Sequence, residues 1–195
     1  PPFPVGRDWT NIGRAIANGV LREIEREGRR KSVYTRIQGE AAARPGSRQV
    51  QTPRGPVWMS PIEAQLYEAM LREGLSPVPQ HCIEGYYADF AFPDIRLAVE
   101  ADGAAYHGEN RRQRDRKRDW ILARAGWTVK RFHGTTIHQK AGNCAYVVKR
   151  EVEGRRAQIA VRKRQEEHRR QARRDALLRP FRKLWRFLRR SRGSQ

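Results

Sequence analysis

Cysteine is nearly absent: Cys82 and Cys144 are the only two in 195 residues. No CxxC or Cys/His cluster accompanies them, which argues against a disulfide scaffold and a structural zinc site and points to a reducing, cytoplasmic compartment. Long apolar runs are missing as well. No stretch approaches the ~20 consecutive apolar residues of a membrane span, and no secretory signal is visible. The chain opens at Pro1 with no initiator Met, as a processed product or a fragment of a longer protein would. Acidic charge is scarce: 21 Asp/Glu stand against 41 Lys/Arg, a net of +20. A polyanionic partner is therefore the first expectation, nucleic acid foremost.

The excess is uneven. Residues 1–59 carry 11 Lys/Arg and 5 Asp/Glu, residues 60–150 carry 14 and 11, and residues 151–195 carry 16 and 5. A nearly balanced middle lies between basic flanks. The spacing predicts a helix over residues 8–31, with Ile12, Ile16, Val20 and Ile24 at i+4, closed by Gly28-Arg29-Arg30. Residues 39–57, with Pro45-Gly46-Ser47, Pro53, Gly55 and Pro56, read as a linker or surface arm. Ser60-Pro61-Ile62-Glu63 has the form of a capping box opening a helix that Gly74 stops. Strands are expected over 78–83, 86–92 and 95–101, the last two joined by Pro93-Asp94. A very basic helix over 111–125 follows, then a strand over 127–132 and a helix over 135–152. A helical crossover between the third and fourth strands permits parallel pairing. The fold class expected is α/β, an αβββαβ mixed sheet flanked by helices, over residues 60–152. Residues 1–59 and the Arg-rich 153–195 form helical basic extensions, and Pro180 is expected to break the second.

Within the middle, Tyr87-Ala88-Asp89-Phe90 is followed by Leu97-Ala98-Val99-Glu100-Ala101-Asp102-Gly103. Carboxylates in apolar strands are expensive to bury unless something neutralises them. The short turn places Asp89 nearly opposite Glu100, and Glu100 and Asp102 share a strand face. Asp89, Glu100 and Asp102 are therefore candidate ligands of a hard divalent cation, Mg²⁺ or Mn²⁺. Such an ion polarises a phosphodiester and activates water. The competing reading makes them exposed strand residues and a turn.

The element order with Asp89 and Glu100 resembles the restriction-endonuclease fold, the PD-(D/E)xK superfamily. The nearer likeness is to small bacterial endonuclease-like domains related to the very-short-patch-repair (Vsr) endonucleases. It rests on Ser60-Pro61-Ile62-Glu63 with Leu66, Gln80 with Ile83, Tyr87 to Phe90, Leu97 to Gly103 with His107, Asp115 with Arg118, and Gly126 to Val129 with Arg131-Phe132. The resemblance covers residues 58–150. It implies that Asp89 is the central metal ligand, Glu100 the second acid, and Glu63 a first-helix glutamate pointing into the site. Glu63 reads equally well as the capping-box residue.

One departure matters. The superfamily lysine belongs two residues after the second acid, where this chain has Asp102. Asp102 and His107 fall where the Vsr-type branch places histidines. The resemblance thus implies that Asp102 is a further ligand and His107 a general base or phosphate contact; a loop histidine bonded to backbone is the alternative. Lys117 or Lys130 would restore the missing positive charge, or the loss would leave a weak or dead nuclease. Arg111, Arg112, Arg114, Arg116, Lys117 and Arg118 open the second helix, and with Arg131 they are candidate phosphate contacts. Arg118 has a second reading, an ion pair with Asp115. In the C-terminal segment Arg182, Lys183, Trp185 and Arg186 form a basic aromatic tail, suited to a nucleic-acid clamp or to an amphipathic helix for a membrane or protein partner. The reading favoured is a Mg²⁺/Mn²⁺-dependent DNA endonuclease with basic arms. Its rivals are a non-catalytic binding module of the same fold and an accessory nuclease domain of a larger helicase, relaxase or transposition assembly.

Overall fold

The computed structural model describes the backbone of residues 9–102 and 109–191, and the side chains of residues 17–102 and 115–179. The chain divides into two units, Pro1–Lys149 and Arg150–Gln195.

In the first unit, helix α1 (Trp9–Ala42) runs well past the Gly28 stop expected of it. Glycine inside a helix costs only about 1 kcal/mol relative to alanine, and tertiary contacts beyond it offset that cost. The Tyr87 hydroxyl donates to the Arg30 carbonyl at 2.8 Å, and the Tyr34 and Tyr87 rings lie 5.7 Å apart. Ala41 is buried, and the Gln38 side chain accepts from the Trp58 N–H at 2.7 Å.

The expected linker over 39–57 is also corrected. Strands β1 (Arg48–Thr52) and β2 (Gly55–Met59) form an antiparallel hairpin there. Val57 and Met59 alternate into the core, and the Pro53-Arg54 turn is closed by Thr52 Oγ1 donating to the Gly55 carbonyl at 2.6 Å. Gly55 sits at φ +107, a region that side chains disfavour. Proline and glycine marked the turn of a hairpin rather than loose chain.

Helix α2 (Pro61–Arg72) starts at the anticipated capping box: Ser60 and Glu63 exchange side chain-to-backbone hydrogen bonds of 2.9 and 3.4 Å. Strands β3 (Val78–Ile83), β4 (Tyr86–Phe92), β5 (Leu97–Asp102) and β6 (Thr128–His133) form one sheet in sequence order. β3–β4 and β4–β5 are antiparallel, and β5–β6 is parallel, crossed by helix α3 (Glu109–Arg124). A short 3-10 turn, Pro93–Ile95, links β4 to β5 and takes Ile95 out of the strand expected to contain it.

The core lies on the sheet. The Tyr67 and Phe90 rings stack at 5.7 Å, with Leu66, Met70, Phe92, Leu97 and Val99 fully buried. Ile83, Ala88, Ala98 and Leu122 form a cluster against which Trp127 and Val129 pack. Helix α4 (Gly134–Ser191) begins in this unit, with a break in helical geometry at Lys140. Ile137, Ala145 and Val148 are buried, and Lys149 pairs with Glu73 at 3.1 Å.

The second unit is the remainder of α4. Its side chains from 156 to 174 are all exposed. Pro180 does not break the helix, which is assigned through to Ser191. Proline's fixed φ is itself helical, so an exposed helix loses one hydrogen bond and absorbs one steric conflict there. No described helix is long and apolar enough to cross a membrane.

Candidate functional site

The strand register assembles the acids. Phe90 lies opposite Val99 at the end of the β4–β5 ladder, so the next step brings Asp89 to Glu100. Asp89 Oδ2 accepts from the Ala101 N–H at 2.9 Å, tying the two strands at the carboxylates. Asp89 keeps some exposure as a residue, but its carboxyl is desolvated and its pKa is pushed up to about 8. Burial is the first cause and the nearby Glu63 carboxylate the second; Glu100 adds to it, while the Ala101 N–H and Arg118 pull the other way. Glu63 caps α2 through the Ser60 N–H and lies near enough to Asp89 to push its pKa up.

Glu100 is almost fully buried, and two guanidinium groups hold it. Arg118 of α3 pairs with Oε2, and Arg131 of β6 donates to the same oxygen from Nε at 2.8 Å. Glu100 and Arg131 are register partners in the parallel β5–β6 pair and so point to one face. Arg131 also makes a two-pronged pair with Asp119, one bond being 3.0 Å. That pair raises the Arg131 pKa and lowers that of Asp119, with Glu100 adding to the first shift.

Arg118 and Arg131 are both partners of the buried Glu100 carboxylate, which unpaired would be severely destabilising. The charge expected from Lys117 or Lys130 comes instead from the residue after each. Arg118 Nε is buried with no hydrogen-bond partner among the described atoms. Asp119 was not anticipated. The signal available was helical phase: four residues after Asp115 and one after Arg118, it faces β6 across a half-buried seam.

Asp102 ends β5, half-buried, in register with His133. The expected trio of Asp89, Glu100 and Asp102 is not brought together as a cage: among the described residues, no three Asp, Glu, His or Cys side chains are placed to hold a metal ion. Like charges left uncompensated stay apart, and Glu100 has taken arginine as its counterion. The chemistry of the donors still fits a hard cation. The Glu63 and Glu100 carboxylates both push the Asp89 pKa up, behind burial as the first cause, and a dication bound beside Asp89 would relieve that repulsion.

His107 lies outside the described residues, as do the side chains of Arg111, Arg112, Arg114, Arg182, Lys183, Trp185 and Arg186. Arg116 and Lys117 are exposed on α3.

The two acids are expected to affect stability in opposite directions. Between the unfolded carboxyl range near 3.8 and about 8, folded Asp89 holds a proton that the unfolded chain has released. Metal-free stability therefore falls as pH rises through that window, by up to about 1.4 kcal/mol per pH unit. Asp89→Asn should flatten this slope and raise Tm at pH 8 in EDTA. Glu100→Gln takes the acid from Arg118, leaves Arg131 with Asp119 alone, and should cost about 3 kcal/mol. Thermal melts from pH 5 to 9 check both, and parallel slopes for wild type and Asp89→Asn would refute the assignment of a desolvated Asp89.

This core is a mixed αβββαβ sheet with acids on its two adjoining central strands, the element order of restriction-endonuclease-like folds. Residues 62–152 match a restriction-endonuclease family model, REase_MTES_1575. Among solved structures the chain is similar to "Homing Endonuclease I-Bth0305I Catalytic Domain", at 17% identity and TM-score 0.38, covering 50% of this chain and 94% of that one. No curated protein matches.

Proposed function

We propose that this protein is a Mg²⁺- or Mn²⁺-dependent DNA endonuclease, with the acids at Glu63, Asp89 and Glu100 as its hydrolytic centre. The observation that carries the reading is the strand register that sets Asp89, desolvated and tied to the Ala101 N–H, beside Glu100, inside a segment that matches a restriction-endonuclease family. When bound, a divalent cation polarises the phosphodiester and lowers the pKa of the attacking water. The chain's own residues do the rest. Glu63 stays fixed at the start of α2 by its cap, and Asp89 by the Ala101 N–H. Arg118 and Arg131 hold Glu100 and set positive charge where a phosphate accumulates negative charge. Arg116 and Lys117, with Arg111, Arg112 and Arg114 on the same helix, grip backbone phosphates. Asp102 and His107 remain proposed contributors, the first as a further ligand and the second as general base, in keeping with the likeness to the Vsr-type branch.

A second reading has its own support. Asp102 replaces the superfamily lysine, and Glu100 is paired with two arginines. Both features suit a binding module that keeps the fold and has lost the chemistry. Incubation with single-stranded, duplex, nicked and branched DNA, with and without Mg²⁺ or Mn²⁺, separates the two. Cation-dependent cleavage of any substrate supports the enzyme, and binding without cleavage across all of them supports the module.

A further inference from the structure

Trp120 is the most conspicuous side chain that this reading leaves unused. It sits on α3 with 59% of its surface exposed, although indole is among the costliest groups to leave in water. Its surroundings are cationic. The Arg124 guanidinium carbon lies 5.2 Å from the ring centroid, one helical turn on. Arg116, one turn before, and Lys117 are exposed. At 100° per residue Arg116, Lys117, Trp120 and Arg124 share about 100° of helix arc. Arg118, Asp119 and Leu122 point elsewhere: Arg118 to Glu100, Asp119 to Arg131, and Leu122 into the core. The outer face of α3 is thus an aromatic ring set in a row of positive charge. Arg116, Trp120 and Arg124 are stepped by about 6 Å along the axis.

We infer that Trp120 is a base-stacking site for an unpaired nucleotide, with Arg116, Lys117 and Arg124 holding the adjoining phosphates of a single strand. The inference rests on the nuclease reading and deepens it by naming the substrate class, a strand with unpaired bases. Charge complementarity selects the occupant. A protein partner needs an apolar patch, and on this stripe the one large apolar group is the ring itself, ringed by cations. A base offers a flat π face and flanking phosphates, matching a ring between arginines. A duplex keeps its base faces stacked and cannot use the ring.

The test measures binding rather than cleavage, so its failure is distinct from failure of the nuclease reading. Full-length protein carrying Asp89→Asn is titrated in EDTA against a labelled single-stranded oligonucleotide and its duplex. Adding Trp120→Ala should weaken single-strand binding about tenfold, within the range of one lost stack, and change duplex binding less than twofold. Trp120→Phe should recover most of the loss, and Trp120→Leu should not. Equal losses on both substrates, unchanged single-strand affinity, or full rescue by Trp120→Leu would overturn the proposal. Loss of a concentration-dependent dimer in Trp120→Ala, with DNA affinity intact, would overturn it as well and assign the ring to an interface between copies. Trp120 is exposed, so circular dichroism of the variants should match the parent.

Discussion

Asp89→Ala is expected to lower cleavage by about a hundred- to a thousandfold while leaving DNA affinity within twofold. Asp89 sits where the charge is most concentrated: its carboxyl is desolvated, faced by Glu63 and Glu100, and held by one backbone N–H. On the proposed reading its removal deletes the central hard-oxygen donor, and losses of this order follow when one preorganised charge-stabilising group is removed. EDTA should abolish cleavage by the wild type, and Mn²⁺ should restore it. The basic surface that grips phosphate lies on other side chains, so affinity should persist. Single-turnover cleavage together with anisotropy binding in EDTA checks both halves. Full activity in Asp89→Ala would move the chemistry away from this strand pair. Loss of binding and cleavage together would make Asp89 a structural residue, which the predicted rise in Tm for Asp89→Asn independently opposes.

The strands were legible because their alternation and turns are local. Tyr86–Phe92 carries Ala88, Phe90 and Phe92 inward, and Pro93-Asp94 sets a short return, so the Asp89–Glu100 neighbourhood follows from spacing alone. The capping box at Ser60 and Glu63 was equally local. What stayed hidden depends on distant chain. The length of α1 is set by Gln38 meeting Trp58 and by Tyr87 reaching Arg30, contacts across 20 and 57 residues. The 48–59 hairpin was masked by its prolines, which serve its turn and its ends. Charge alone could not choose between Lys117 and Arg118, or between Lys130 and Arg131. Helix phase and the parallel β5–β6 register decide, and both put the arginines on the Glu100 face. Every arginine reads alike as a phosphate contact until its buried acid is located.

Deleting residues 151–195 should weaken DNA binding strongly and leave the acid site intact. The segment holds 16 Lys/Arg against 5 Asp/Glu, a net of +11 out of +20. Its described side chains beyond 155 are almost all in solvent, with no burial to compete for them. If it grips phosphate backbone, each lost contact takes about 0.9 from the log–log salt slope on duplex DNA, so losing five contacts would flatten it by about 4.5. Cleavage at saturating protein and low salt should survive, since Glu63, Asp89 and Glu100 all lie in the other unit. A membrane or protein-partner role for the same helix predicts the reverse: unchanged DNA affinity and slope, with loss of binding to anionic vesicles or to a partner. Titration of full-length and truncated protein on one duplex at two salt concentrations decides. An unchanged slope would discard the clamp and leave α3, with Arg116 and Lys117 exposed on its outer face, as the main duplex contact.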